Sequence, residues 1–444
     1  MNDLHATVVG AGLAGCEAAM QLANRGVQVT LYEMKPHKMT PAHTSTDFGE
    51  LVCSNSLKAK RVEAAGGLLK AEMQLFDSLC VKTAYACEVP AGGALAVNRH
   101  EFSAAMTRAI QEHPNITVVE KEITEIPDGV CVIATGPLTS DAFAQELQQK
   151  IVGSPLHFYD AAAPIVTADS IDMNSAFAAS RYERGGEDDY LNCPMNKEEY
   201  EAFYEQLITA QRAQLHAFEK DPKVYEGCMP IEIMARRGAD TIRFGPLKPV
   251  GLRDPRTGHR PWANLQLRKE NKEGTCYNLV GFQTNLTFPE QKRVFGMIPA
   301  LKNAEYVRYG VMHRNTFLDS PRLLNQDFSL KENPDLFFAG QMTGVEGYME
   351  SAASGILAGV NAYRRLTGQA SLALPETTMM GALSRHIGNQ NTADFQPMGA
   401  SFGLLPPLPE LIRDKKERYG ALARRSLETL QSVLQYENLF VSDK

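Results

Sequence analysis

The stretch ATVVGAGLAGCEAAMQLANRGVQVTLYE, Ala6 to Glu33, decides the fold. It opens with alternating small and β-branched residues, breaks at a run of glycines, continues with helix formers, and closes on a second β-branched run. That order reads as strand, turn, helix, strand. The glycines are Gly10, Gly12 and Gly15 in a G-x-G-x-x-G spacing, with Ala11, Leu13 and Ala14 between them. Gly10 permits a tight turn, Gly12 lets a pyrophosphate approach the backbone, and Gly15 lets the helix pack closely on the strand. The anion then faces free N–H groups at a helix start. Glu33 ends the second strand, where its carboxylate can accept ribose hydroxyls.

Two later segments extend this reading from a generic dinucleotide to FAD. ITVVEKEITEIPDGVCVIATG contributes two more strands and closes on Ala134, Thr135 and Gly136. PDLFFAGQMTGVEGYMESAASGILAGVNAYRR reads as a strand ending at Gly340, a loop containing Gln341 and Gly347, and a helix of small residues from Tyr348. Three separated segments meeting one extended cofactor favour tightly held FAD. No second G-x-G-x-x-G unit is present, so a nicotinamide donor would visit without its own Rossmann domain.

The chain has 444 residues, enough for two or three domains with cores of their own. The expected architecture is α/β: a Rossmann-like FAD-binding domain, residues 1–155 and 300–370, with an α+β insertion at 156–299 and a C-terminal connector and helix at 371–444. In the insertion, Asn196 and Glu199 form a capping-box pattern ahead of a helix. The segment from Asp240 to Thr284 alternates and reads as antiparallel strands, with DPRTGHR as a hairpin tip. The last helix is expected over Pro409 to Tyr436.

The cysteines, at 16, 53, 80, 87, 131, 193, 228 and 276, show no C-x-x-C pair and no zinc spacing, so no metal site is expected. The start of the chain has no secretory pattern, and no long apolar run occurs. A protein that does not enter membranes and works in the cytoplasm is expected. Net charge is −7, yet between Arg236 and Lys272 ten Lys or Arg face three Asp or Glu, and between Arg413 and Arg425 six face two. Basic patches on an acidic protein point to local phosphate contact, with Arg253, Arg256 and Arg260 as candidate phosphate ligands.

The segment FAGQMTGVEGYMESAASGILAGVNA resembles the glucose-inhibited-division family of flavoproteins that modify uridines in RNA. MTPAHTSTDFGELVCSNSL, VPAGGALAVNR, DYLNCPM, GCMPIE, FGPLKPVGL and YGVMHRNT resemble its short, folate-dependent branch. The resemblance implies 5-methyluridine formation in RNA, with 5,10-methylenetetrahydrofolate as carbon donor, NAD(P)H as reductant and the flavin as electron carrier and one-carbon relay. The T-loop uridine of tRNA is the expected target, with a uridine of 23S ribosomal RNA left open. A flavoprotein oxidoreductase of another substrate is the rival class, and it lacks the expected redox cysteine pair.

That chemistry needs a thiolate at C6 of uracil and a group that takes the C5 proton. The resemblance assigns Cys228, in a turn of the insertion, as nucleophile. Cys53 is assigned acid-base or adduct-protecting work near the flavin, with Ser54, Asn55 and Ser56 expected to hold its loop against flavin or folate. His313 is the candidate ring for stacking on the folate pterin, with Tyr348 second. Cys193 is the least settled of the remaining thiols.

Overall fold

The computed structural model describes residues 4–437 apart from 41, 152–155, 162, 184–188, 214–228, 271–273, 311, 392–394 and 396. The strand β1 (His5–Val9), the helix α1 (Leu13–Ala23) and the strand β2 (Gln28–Glu33) form where the opening motif places them. β1 lies inside a six-stranded sheet ordered Ser329–Leu330, Asn333–Phe338, Cys131–Ile133, β1, β2, Ile116–Glu120. Every neighbouring pair is parallel except the first, which makes an antiparallel edge. Central strands of such a sheet are covered on both faces, so their sequences are continuously apolar and do not alternate. Val8, Cys131, Val132 and Ile133 are accordingly inaccessible to solvent.

One layer over this sheet is the pair α1 and the helix Tyr348–Leu366. Their approach depends on absent side chains. A Cβ at Gly355 would lie 2.1 Å from the Ala14 carbonyl oxygen, and one at Gly359 would lie 2.8 Å from that of Ala18. The small residues of the late helix therefore serve backbone contact with α1 and not a generic helix preference.

Leu156–Ala161 pairs antiparallel with Met312–Phe317 in a separate two-stranded sheet. The second sheet is antiparallel, ordered Phe177–Ala178, Tyr190–Met195, Ala263–Lys269, Cys276–Leu279, Ile165–Thr167, Tyr306–Arg308. The strand Tyr306–Arg308 extends this unit past residue 299, where the sequence reading ended it. Its core is separate, with Phe203, Phe282 and Phe295 packed at 6.1 and 5.1 Å between centroids. The helix Lys197–Thr209 starts with the expected capping box, Asn196 and Glu199 bonding reciprocally at 2.8 Å.

Two expectations are corrected. Residues Ala239–Phe244 form a short helix, its Ile242 buried in the second core, and the first strand of this stretch starts only at Ala263. DPRTGHR closes through Asp254, whose carbonyl accepts from Thr257 and Gly258, but it precedes a single strand and joins no hairpin pair. The last helix runs Lys415–Tyr436 and starts at an Asp414 cap, where the carboxylate accepts from the Glu417 N–H at 2.8 Å. The prolines before it stay extended because Arg425 donates to the carbonyls of Pro406 and Pro407 at 2.6 and 3.0 Å. No described helix is long and apolar enough to cross a membrane.

Candidate active site

The three glycine-bearing turns converge at the carboxyl edge of the first sheet. Gly10 to Ala14, Glu33, Ala134 to Gly136, Gly340, Gln341 and Tyr348 line one cleft. Gly10 has φ +99°, and a Cβ there would sit 2.6 Å from the Ala134 carbonyl oxygen, so the first and second turns touch only because this residue is glycine. Gly15 packs inward behind Gly10, as its position in the motif requires. The faces of Gly12 and Gly136 are open, with no atom within 4 Å of an added Cβ. Gly12 caps α1 without a side-chain acceptor, and the first turn carries no acidic residue, so the free helix N–H groups face the cleft. Glu33 is buried and accepts from the Ala11 N–H at 2.8 Å and the Lys35 N–H at 3.0 Å, which fixes its carboxylate beside the glycine turn. An open glycine cradle, an uncapped helix start and an oriented carboxylate fit a dinucleotide such as FAD. At the third turn, Gly340 donates to Ser354 Oγ at 2.7 Å and Gln341 to Glu346 at 2.8 Å. Gly347, at φ +125°, starts the helix that presents Tyr348.

Beyond Tyr348 lies Cys53, half-buried. The tyrosine hydroxyl accepts from the Cys53 N–H at 2.6 Å and the Ser54 N–H at 3.3 Å. Burial, and then the neighbouring Cys53, push this phenol well above its ordinary pKa, so it stays protonated and keeps a proton to donate.

The loop carrying Cys53 was expected to be held by Ser54, Asn55 and Ser56 against flavin or folate. In the structure Ser54 and Asn55 tie it to the second sheet. The buried Arg268 guanidinium donates to Asn55 Oδ1 at 2.8 Å and to Ser54 Oγ at 2.7 Å. Asn55 donates in turn to the carbonyls of Lys269 at 2.9 Å and Val97 at 3.1 Å. Glu270 binds Arg99 at 2.6 and 3.2 Å, and Arg99 donates to the Leu51 carbonyl at 2.7 Å. The end of one strand of the second unit thus braces both ends of the Cys53 loop.

The sequence reading missed this brace, because its partners are far apart in the chain. It also missed His43, Glu50 and Lys35 in the loop after β2. His43 and Glu50 line the cleft, and Lys35 ties the loop through the Asp47 carbonyl at 2.5 Å. Burial and then Lys35 lower the pKa of His43, which favours the neutral ring. The polar run KPHKMTPAHTSTDFGE was the available signal, a long segment of titratable groups directly after the nucleotide strand.

Cys228 lies outside the described residues. His313 lies in the strand Met312–Phe317 with its backbone opposite Asp160, and its side chain is also outside the described set. Cys193 is buried in its strand opposite Leu265, where desolvation drives its thiol far upward in pKa, so it is an inert packing residue. Burial likewise pushes Cys131 up to about 12. Of the candidate RNA ligands, Arg253 and Arg260 are exposed, whereas Arg256 is engaged with Asp254 at 2.9 and 2.7 Å. Among the described residues no group of His, Cys, Asp and Glu could hold a metal.

Comparison with known proteins places this geometry. Residues 5–370 match the family model described as Glucose inhibited division protein A. A methylenetetrahydrofolate–tRNA-(uracil-5-)-methyltransferase TrmFO of Halalkalibacterium halodurans is 55% identical over 98% of this chain and 99% of its own length. The protein of the same name from Brevibacillus brevis is 57% identical over 98% and 99%. Among solved structures, GidA of Aquifex aeolicus aligns at TM-score 0.68 and 15% identity over 98% of this chain and 76% of that one, a likeness of fold. With its glycine cradle, oriented Glu33 and a family match that runs over residues 5–370, the chain belongs to the glucose inhibited division protein A family.

Proposed function

We propose that this protein is a folate- and FAD-dependent methyltransferase forming 5-methyluridine in tRNA in the cytoplasm. The observation that supports it best is the placement of Cys53 against Tyr348, which lines the dinucleotide cleft, on a loop braced by the basic second unit. The units are read as a split FAD domain, an α+β RNA-binding insertion and a C-terminal helical cover.

When bound, FAD supplies the two electrons that take a methylene carbon to a methyl, and NAD(P)H restores them. The cradle from Gly10 to Gly15 holds the pyrophosphate, Glu33 the ribose, and the segment from Gly340 to Tyr348 the ring end. His313 stacks on the folate pterin. Arg253 and Arg260 hold RNA phosphates and deliver the target uridine, turned out of its stack, beside Cys228. The Cys228 thiolate forms a bond to C6 of uracil, and the displaced pair makes C5 nucleophilic toward the methylene carbon, whose bond to its carrier nitrogen breaks with the pair left on that nitrogen. Cys53, as thiolate, takes the proton that leaves C5, and the Tyr348 hydroxyl holds its backbone in place. Once that proton has gone, the two electrons would reach the methylene carbon as hydride, making it a methyl, and the C5–C6 double bond re-forms as the Cys228 thiolate leaves C6.

RNA containing 5-fluorouridine has no C5 proton to lose and should trap the covalent complex. Wild type and Cys53→Ala should form it, and Cys228→Ala should not. Trapping that survives in Cys228→Ala and is lost in Cys53→Ala would exchange the two roles.

A further inference from the structure

On the second unit, two aromatic side chains share one guanidinium. The Arg243 guanidinium carbon lies 3.8 Å from the ring centroid of Trp262 and 4.9 Å from that of Phe244. Its position is fixed from its own side, since Arg243 Nε donates to the Trp262 carbonyl at 2.9 Å and Nη1 reaches Asp240 at 3.4 Å. The Trp262 backbone N–H in turn donates to the Met195 carbonyl at 3.1 Å, tying the residue's backbone to the end of a strand. A second cation, Lys197, stands 5.8 Å from the same indole. Packing does not use these rings up. Phe244 is 59% exposed and Trp262 37% exposed.

Large exposed apolar residues scattered singly need no explanation, but two aromatics held rigid around a guanidinium form a platform. Arginine and aromatic planes are the surfaces on which unstacked RNA bases lie, and stacking tolerates any base because every base has a π face. The charge around the platform suits the same ligand. Exposed Arg236, Lys248, Arg253 and Arg260 belong to the same stretch of chain. A folded aromatic pair awaiting a protein partner would not need this density of cations.

We propose that Arg243, Phe244 and Trp262 form a stacking site for an unpaired nucleotide of the RNA, separate from the site that receives the target uridine. The inference rests on the RNA-binding reading above and deepens it. Trp262 immediately precedes the strand Ala263–Lys269, whose far end braces the Cys53 loop through Arg268. Six steps along the chain lead from Trp262 to Arg268, which at about 3.3 Å per step puts the platform roughly 20 Å from the arginine that braces the Cys53 loop. The base it holds is therefore a different one from the base that reacts. The site recognises a loop flanking the target and measures its distance from the reacting base.

Trp262 is the single tryptophan of the chain, so its emission reports the site without any label. The full-length, FAD-loaded protein should be titrated with a stem-loop RNA bearing an unpaired loop, and separately with the same sequence closed into a perfect duplex. The loop RNA should quench tryptophan emission saturably, with the midpoint found independently by filter binding. Trp262→Ala should weaken loop binding by about tenfold or more while changing duplex binding by less than about twofold, since only the loop offers a base to stack. Trp262→Phe should recover most of the loss. Filter binding of the loop RNA with no change in emission would overturn the site, as would equal weakening of loop and duplex. If wild type binds neither RNA, the RNA-binding reading itself falls, a result distinguishable from the other two.

Discussion

Arg268 shows what a single residue does here. Its guanidinium is buried, and its two partners on the Cys53 loop are 213 and 214 positions away in sequence. Arg268→Lys keeps a charge but replaces a planar fork with one ammonium, which cannot serve Asn55 Oδ1 and Ser54 Oγ in the same geometry. One buried acceptor left unsatisfied costs about 1–3 kcal/mol, so methylation should slow about tenfold to hundredfold. The loss should fall on kcat, with KM for RNA and the bound FAD little changed. Steady-state kinetics and flavin absorbance after gel filtration check this, and loss of flavin would instead make Arg268 a residue of the fold. The nucleotide residues were legible because Gly10, Gly12, Gly15 and Glu33 lie within one local motif. Arg268 was not, because charge counting treats every cation alike. Of the cations in that stretch, Arg268 turns inward, Arg256 binds Asp254, Arg243 stacks on Trp262, and Arg253 and Arg260 remain in solvent.

At the scale of elements, periodicity located the strands of the parallel sheet, but helix contacts and helix ends depended on partners it cannot show. The helix Tyr348–Leu366 touches α1 through Gly355, where an added Cβ would meet the Ala14 backbone. Gly355→Ala should force the two helices apart, at a cost of about 1–3 kcal/mol. Because Ala14 lines the cleft, the variant should also release FAD more readily in dilution experiments. The C-terminal helices raise a different matter. Glu72, on the helix Ala65–Leu75, accepts from the Met379 and Met380 N–H groups at 2.7 and 2.8 Å and from the Ser426 hydroxyl, so one carboxylate pins both the helix Met379–Gly388 and the last helix, Lys415–Tyr436. Burial raises its pKa from 4.5 to about 7. The folded state therefore holds more protons than the unfolded state between those values, and Glu72's contribution to stability falls as pH rises through them. The melting temperature of wild type relative to Glu72→Gln should be more favourable at pH 5 than at pH 8. A difference that stays constant with pH would show that the carboxylate keeps its ordinary pKa.

For the whole molecule, the question is how a chain of net charge −7 holds a polyanion. The acidic balance belongs to the chain as a whole, whereas exposed Arg236, Lys248, Arg253 and Arg260 lie on one stretch of the second unit, before the strand that ends at the Cys53 loop, and exposed Arg413, Lys415 and Lys416 gather at the start of the last helix. Long-range repulsion and local attraction then respond differently to salt. Beyond a screening length of about 8 Å at physiological ionic strength the repulsion fades, while counterions released at each phosphate contact still weaken binding as salt increases. RNA affinity should therefore fall log-linearly with salt concentration despite the unfavourable net charge. Arg253→Glu and Arg260→Glu should each lower affinity for all RNA sequences alike and flatten the salt slope by about 1. Arg256→Glu should behave differently. Its charge is already compensated by Asp254, so the substitution places two carboxylates together and disturbs the loop that presents its neighbours. Its loss of affinity should come with a lower melting temperature, whereas Arg253→Glu and Arg260→Glu should melt as wild type. Equal melting temperatures in all three variants, with equal flattening of the slope, would show that Arg256 leaves Asp254 to bind phosphate when RNA arrives.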